Sequence, residues 1–483
     1  MKRITGLLII AALLAGIWTA TAVTEIPSTL KRDIKIHKST SNNPLIPGES
    51  PTTGLPTENS EYIPIFSQID NNLGAIPQWG ISQADIMYEL PIAGQGLTRL
   101  TALFSDHYPE EAGPVRSGRV MHAELREEWD AALVFYGRQE VPGSNLTEIL
   151  SKYGVKAKGL ALDGHDRKYE KYMPRVRYHA APHNVSAHIK ELRDLLASTL
   201  NYSFPIRPFK FTDDRNYSGL QAQQFSIIHN GNKDTSSTFI YDAQANGYER
   251  FTILGAYSDY LNPFDSLIYS NVIIQRTKLT FNRSSVNPLL PEIVGSGAAD
   301  IFIAGQYIAG AWSRDSMNQR TVFYDQNGEE LKLQRGKTWI AVASEKTKVL
   351  IGDVSSSSQE NLYSDVRVDE NGQVLADNKT TAPVVQANSK NDDFAVNNSE
   401  VTNTNNLNTN NGDEASSKKN TASIKTSNKG PLNMRKKDSG KSDIIARIPY
   451  MTVVEVLEKG SEWTEIKYDN LIGYVMTKYL DFK

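Results

Sequence analysis

The side chains best suited to chemistry fall between residues 82 and 184. In Ser82-Gln83-Ala84-Asp85-Ile86-Met87-Tyr88-Glu89 two carboxylates, Asp85 and Glu89, stand four residues apart. That spacing puts both on one side of a helix, and on one face of the chain if it is extended, so either geometry keeps them neighbours. Paired carboxylates are what general acid and base catalysis of glycosidic cleavage needs. Arg99 follows in Gly94-Gln95-Gly96-Leu97-Thr98-Arg99, and Gly113-Pro114-Val115-Arg116-Ser117-Gly118-Arg119 sets two more arginines in a turn just ahead of a helix. Planar guanidinium forks beside the N–H groups of a helix start would receive a carboxylate or a phosphate. The alternative is that these arginines pair with Asp85, Glu89 or Glu124 and pin loops, because ion-pair networks imitate sites. His179-Ala180-Ala181-Pro182-His183-Asn184 adds two imidazoles and an amide on a loop. His183 is the candidate second proton carrier and Asn184 a candidate anion ligand, or both stabilise their loop through backbone bonds. Their spacing across a proline is not the helical His pair of zinc proteases, so no metal site is expected.

The elements that must position these groups can be read from period and punctuation. Leu100, Ala102 and Phe104 alternate as a strand, Val120 to Trp129 reads as a helix, and Ala131 to Tyr136 as a buried strand. Ser144 opens a helical stretch ending at Tyr153-Gly154, where glycine fits a left-handed cap. Ser186 precedes Ile189, Leu192, Leu195, Leu196 and Leu200 at helical spacing. Beyond a break near 200–214 the chain turns β-rich. Strands are expected at Phe239–Asp242, Tyr248–Ile253, Ser270–Arg276, Asp300–Ala304, Arg320–Tyr324 and Lys337–Val342, with an Asn-Gly turn in Gln326-Asn327-Gly328. The expected fold class is an α/β (α+β) N-terminal unit packed with a mostly antiparallel β unit, followed by a disordered linker and a small all-β barrel.

Composition sets the outer bounds. The chain has 483 residues, 39% of them hydrophobic and 22% charged, with a formal net charge of -3. It can therefore bury one large core or two medium ones, and it lacks the global basic signature of a nucleic-acid binder. The absence of cysteine excludes disulfides, thiolate metal ligands, a cysteine nucleophile and a lipid-modified cysteine. No G-x-S-x-G, Walker A, HExxH or dinucleotide fingerprint occurs, and no cofactor is expected. Met1-Lys2-Arg3, the apolar run Leu7 to Ile17 and Ala20-Thr21-Ala22 read as a signal peptide with a mature start near Val23; the alternative is a retained N-terminal anchor. No other run approaches a membrane span. The expected organisation is a signal peptide over 1–22, a polar tether over 23–59, an α/β unit over 60–214, a β-rich unit over 215–353, a disordered Ser/Asn/Thr/Lys linker over 354–429 and a terminal barrel over 430–483.

Two resemblances add to this reading. Leu432-Asn433-Met434-Arg435, Ile444, Ile448, Val453, Val456, Trp463, Ile466, Gly473-Tyr474-Val475 and Tyr479-Leu480 resemble the bacterial SH3 (SH3b) domain, which implies that the barrel holds cell wall. Of its aromatics, Tyr450, Trp463, Tyr468 and Tyr474 are the candidates for wall contact, shared between core and groove. Ser82 to Glu89, Thr98-Arg99, Gly113 to Arg119, Ala181 to Asn184, Val294 to Gly297, Thr321 to Asp325 and Gly336 to Ile340 together resemble the YerB-like family with its two-part DUF3048 domain. The resemblance implies an exported envelope protein of Gram-positive type, often a lipoprotein. The chain departs from the family pattern by lacking the lipid-bearing cysteine. It departs again at Phe135-Tyr136-Gly137-Arg138-Gln139, where relatives tend to carry a His and a Gly-Gly-Ser stretch.

Two functions follow as expectations. One is a binder or scaffold that grips peptidoglycan or another wall polymer through the barrel and a polymer or partner envelope protein through the body. The other is a peptidoglycan-modifying enzyme using Glu89 or Asp85 as acid or base, His183 as second proton carrier, and Arg99, Arg116 and Arg119 to hold the substrate. The expected location is extracellular and wall-associated.

Overall fold

Continuous apolar runs become strands buried on both faces in the computed structural model of the chain. It describes residues 23–37, 42–57, 59, 61–263, 267–281, 289–353, 367–368, 374–375, 420–425, 432–439, 442, 444–448, 452–468 and 471–482. The expected signal peptide, Tyr450 and most of the expected linker lie outside the described residues. Residues up to Leu375 form one compact unit and Ala376–Lys483 another. No helix among the described residues is long and apolar enough to cross a membrane.

In the first unit the elements in chain order are β1 (Thr24–Ile26), β2 (Ile65–Ile69), β3 (Ile86–Pro91), β4 (Thr98–Phe104), α1 (Val120–Arg126), β5 (Ala132–Phe135), α2 (Leu146–Lys152), β6 (Ala161–Asp163) and α3 (Ile189–Thr199). They continue with β7 (Leu220–Gln221), β8 (Gln224–His229), β9 (Ser237–Asp242), β10 (Gly247–Thr252), β11 (Asn271–Arg276), β12 (Gly295–Ile303), β13 (Gln306–Arg314), β14 (Val322–Tyr324), β15 (Thr338–Ala343) and β16 (Thr347–Ile351). An eleven-stranded sheet runs β7-β13-β12-β11-β15-β3-β4-β2-β5-β6, with β14 beside β13. Most of its pairs are antiparallel, but β11 with β15, β15 with β3, β2 with β5 and β5 with β6 are parallel. The strands of the two halves therefore share one sheet, sewn together where Thr338 to Ala341 of β15 lie beside Ile86 to Glu89 of β3. A second, antiparallel sheet runs β1-β16-β8-β9-β10, with the short strands Gly255–Ala256 and Ile268–Tyr269 both paired to β10.

The sequence explains why the junction is dry. Every residue of β2, β3, β4, β5, β11 and β15 is buried. Strands covered on both faces have no solvent side, so β5 and β15 run mostly apolar, and the polar residues of the others, such as Gln68, Glu89, Arg99 and Arg276, are buried as well. Between the sheets, Phe225 of β8 stacks on Phe302 of β12 with ring centroids 3.5 Å apart, and Phe239 stacks on Phe225 at 5.1 Å. Trp339 of β15 meets Phe239 edge-on at 5.8 Å.

Two helix starts shift from their expected places. The Asn145 side chain, one residue past Ser144, accepts the N–H of Glu148 and caps α2, and Gly154 takes a φ of 68° just beyond its end. The α3 helix begins at Ile189 because Ala187 is still held in a bridge to Ala112, and the hydroxyl of Ser186 accepts the indole N–H of Trp79 at 2.9 Å.

The expected tether is corrected at both of its ends. Thr24–Ile26 adds an edge strand to β16, and Ile26 is buried. Farther on, Arg32 reaches into the body, donating to the carbonyls of Ala299 and Gly310 and to Tyr307 and pairing with Asp300. Ser50, Thr52 and Thr53 are buried, and Phe209 and Gly336 donate their N–H groups to Pro51 and Thr53. A strap that bonds mainly to backbone is as polar in composition as a free tether, which is why composition misreads it.

In the second unit, the seven strands are β17 (Thr421–Ile424), β18 (Leu432–Arg435), β19 (Ile444–Ile448), β20 (Val453–Glu458), β21 (Trp463–Tyr468), β22 (Leu471–Met476) and β23 (Leu480–Phe482). They pair in the order β19-β18-β22-β21-β20-β17-β23 around Leu432, Met434, Ile448, Ile466 and Val475. Thr421–Ile424 lies within the stretch expected to be linker, yet Ala422 and Ile424 are fully buried, so the barrel begins before residue 430.

Candidate functional site

The arginines and His183 converge where the parallel strands β2, β5 and β6 end. Beyond Ile69 the chain is flanked by the turn 113–116: Asp70 N–H donates to Pro114, Arg116 N–H to Gln68, and Tyr136 N–H to Arg116. Outside the carboxyl ends of parallel strands is where α/β sheets characteristically bind ligands. At its centre Asp70, 1% exposed, accepts the Nδ1 of His183 at 2.7 Å and pairs with the Nε of Arg116 at 2.9 Å, both on one oxygen. Burial alone would raise this carboxyl, but the hydrogen bond from His183 and the charges of Arg99 and Arg116 outweigh it and hold Asp70 at about 2. With Nδ1 on the carboxylate, His183 keeps Nε2 for other work. Gly74 leaves the ring room, since a Cβ there would stand 3.2 Å from Cδ2 and Nε2.

Around this pair lie further cations. Arg99 of β4 is buried and directs a guanidinium N–H to the carbonyl of Ser117. Arg119 occupies the N-cap position of α1 and donates its backbone N–H to Nδ1 of His122. That bond leaves the ring proton on Nε2, and burial together with Arg99 and Arg119 holds the His122 pKa well below the usual histidine range, so His122 is a fully buried neutral donor. On the rim, Arg138 pairs with Asp163 at the end of β6, and Arg175 lies over the Tyr136 ring. The departing loop is thus part of this face: Gly137 N–H donates to Asp163, and Gly118 N–H to Gly137. Arg116 pairs with Asp70 and Arg138 with Asp163 and Glu140, and with Arg99, Arg119 and Arg175 the face gathers five guanidinium groups, the kind of donor that takes an anion.

Three expectations about these residues change. Asn184 does not face outward: its oxygen accepts Arg175 and its amide donates to Val176, so it ties the loop 175–184 together. The α1 helix spans seven residues, too short to add a useful dipole, which leaves the guanidinium groups as the anion contacts. Arg116 pairs with Asp70, a partner the sequence spacing did not indicate. Sequence reasoning also missed His122; its one signal is a histidine on the apolar face of a short helix, which reads as core.

Asp85 and Glu89 are not a pair. They flank and occupy β3, and at ~3.3 Å per residue four positions separate them by about 13 Å on one face. Each sits in its own cluster. Glu89, fully buried, accepts the Thr98 hydroxyl at 2.8 Å and lies 3.4 Å from Nε2 of His229. Burial would raise Glu89, but His229, Arg250 and the Thr98 bond lower it below the usual carboxylate range. Asp85 accepts the N–H and the hydroxyl of Ser105 and the N–H of Asp106 on one oxygen. Burial lifts it to about 6, with Asp106 adding to the rise and the Ser105 bonds opposing it.

In the barrel, strand register sorts the aromatics. Trp463 lies opposite Met476 and Glu465 opposite Tyr474, so Trp463 and Tyr474 are diagonal neighbours on one face of β21 and β22, both half-buried. Tyr468 points to the other side, with the buried Thr464 and Ile466. Tyr450 lies outside the described residues.

Comparisons with known proteins agree with this architecture. Residues 52–203 match the N-terminal domain and residues 227–340 the C-terminal domain of the family described as "Protein of unknown function (DUF3048)". Residues 430–481 match the bacterial SH3 domain. The lipoprotein-named YerB protein of Bacillus subtilis (strain 168) is 26% identical over 300 residues, covering 61% of this chain and 86% of the relative. The crystal structure of YerB from Bacillus subtilis superposes with a TM-score of 0.51 at 23% identity, covering 62% of this chain and 99% of that one, a likeness of fold.

Proposed function

We propose, for a chain that belongs to the YerB-like family and carries both DUF3048 domains ahead of a bacterial SH3 domain, that it is an exported envelope protein held at the cell wall by its barrel. Its body serves as a binder or scaffold whose arginine face takes an anionic group of a wall polymer or of a partner envelope protein. The carrying observation is the Asp70–His183–Arg116 cluster at the ends of the parallel strands, ringed by Arg99, Arg119, Arg138 and Arg175. Export rests on the basic start, apolar run and small-x-small site, and wall contact is assigned to the Trp463 and Tyr474 face.

The enzymatic alternative draws on one observation. Asp70 fixes Nδ1 of His183, the arrangement by which a carboxylate orients an acid or base imidazole. Glu89 and Asp85 support it less, since both are buried with their own partners. Incubating the protein with purified sacculi and sedimenting the wall tests both readings. Binding requires that the intact chain pellets, that Trp463→Ala with Tyr474→Ala releases it, and that the supernatant holds no soluble muropeptides. Fragments that disappear with His183→Ala would replace the binder by a wall-cleaving enzyme.

A further inference from the structure

Asp85, Asp106 and His107 gather where β3 begins and β4 ends. Each offers one ligand atom, and these atoms lie within 4.8 Å of one another. Around a tetrahedral ion with bonds of ~2.0–2.2 Å the ligand atoms stand about 3.3–3.6 Å apart, so an inward adjustment of at most about 1.5 Å closes the set. Asp85 and Asp106 are 2% and 6% exposed, while the His107 side chain is 61% exposed.

The hydrogen bonds around the cluster are uneven. Asp106 uses Oδ1 to accept Thr57 and Asn59, but its Oδ2 is buried without a hydrogen-bond donor among the described residues. Nδ1 of His107 stands 3.5 Å from that oxygen. Tyr62 adds a second buried polar atom, a hydroxyl lacking a hydrogen-bond partner among the described residues. Tyr62, Ser105 and Asp106 line one pocket, together with Thr57, Asn59 and Glu61. Two carboxylates this close repel in a low-dielectric interior, and a buried acceptor without a donor is costly. One cation between them relieves both.

We propose that Asp85, Asp106 and His107 bind a single divalent transition-metal ion of the Zn2+ or Mn2+ kind, with the Tyr62-lined pocket on its open side. The donor set selects the class. Ca2+ takes six to eight oxygens, whereas two carboxylates with one imidazole suit Zn2+, which is satisfied by four ligands, or Mn2+, which accepts an imidazole beside carboxylates and completes its octahedron with water. The metal would tie the start of β3 to the end of β4 and, through Asp106, to Thr57 and Asn59 of the N-terminal strap. Three protein ligands would leave a coordination position for water or a ligand anion entering the pocket.

The untagged full chain, stripped with EDTA and dialysed, is titrated with ZnCl2, MnCl2 and CaCl2 by calorimetry and by thermal melting. One equivalent of Zn2+ or Mn2+ is expected to bind and raise Tm, with Ca2+ much weaker. His107→Ala, at an exposed side chain that leaves the fold intact, weakens binding by at least about tenfold, and Asp106→Asn weakens it further. The proposal is overturned by the absence of saturable Zn2+ or Mn2+ binding, by Ca2+ binding of equal strength, or by affinity indifferent to His107→Ala. If Asp106→Asn fails to fold, His107→Ala alone decides.

Discussion

Replacing Asp70 by Asn tests whether the arginine face is organised by one buried charge. The native carboxyl sits at about 2 against an ordinary 3.8. At about 1.4 kcal/mol per pH unit, that difference makes the ionised form worth about 2.5 kcal/mol to the folded state. A depressed carboxylate contributes above its unfolded pKa and loses its contribution as pH falls through the folded one. The native chain should therefore lose about 2.5 kcal/mol from this group as pH falls from roughly 4 through 2. In the variant that acid loss is gone, and at pH 7 Arg116, Arg99 and His183 face a neutral amide. Breaking a buried pair by removing one partner costs about 3–5 kcal/mol. Urea unfolding followed by tryptophan fluorescence at several pH values measures both effects, with the transition of the barrel analysed separately because two compact units need not unfold together. A variant within about 0.5 kcal/mol of the native chain at pH 7, or one with the same acid slope, would refute Asp70 as the organising charge.

Five further substitutions probe the remaining assignments. Glu89→Gln should cost about 3–5 kcal/mol in urea unfolding through the loss of its His229 and Arg250 partners while leaving sedimentation with sacculi unchanged; lost wall activity at unchanged stability would restore a catalytic Glu89. Arg32→Ala should cost about 1.5–3 kcal/mol and raise proteolytic cutting within 24–37, because Asp300 keeps Arg276 but the strap loses its bonds to Ala299, Gly310 and Tyr307; an unchanged cutting rate would mean the strap is held by other contacts. In the barrel, Trp463→Ala or Tyr474→Ala should weaken sacculus binding about fivefold or more at unchanged Tm, whereas Tyr468→Ala should lower Tm and spare binding; the reverse pattern would move the wall-contact face to the opposite side of the sheet.

Much of the fold was legible because local chemistry decides it. The alternation of Leu100, Ala102 and Phe104, the apolar runs around Ala132 and Ile340, the left-handed Gly154 and the alternation through Trp463–Tyr468 each specify an element without reference to the rest of the chain. What escaped were properties of partners. A polar strap and a polar tether have the same composition, and partners elsewhere in the chain distinguish them: β16 for Thr24–Ile26, and the carbonyls of Ala299 and Gly310 for Arg32. Thr421–Ile424 looks like linker until β20 and β23 pair with it.

The candidate site divides in the same way. The residue types that could bind an anion, Arg99, Arg116, Arg119 and His183, were visible in the sequence because guanidinium and imidazole groups advertise their chemistry. Their convergence depends on Asp70, a residue between 29 and 113 positions away from them, brought there by the parallel pairing of β2 with β5 and the turn beside Ile69. Conversely, Asp85 and Glu89 are near in sequence but about 13 Å apart along an extended strand. The sequence by itself determined the strand-rich class, the terminal barrel and the kinds of side chain available. Tertiary structure alone decided which charges meet, because a strand separates close neighbours in the chain while a sheet joins distant ones.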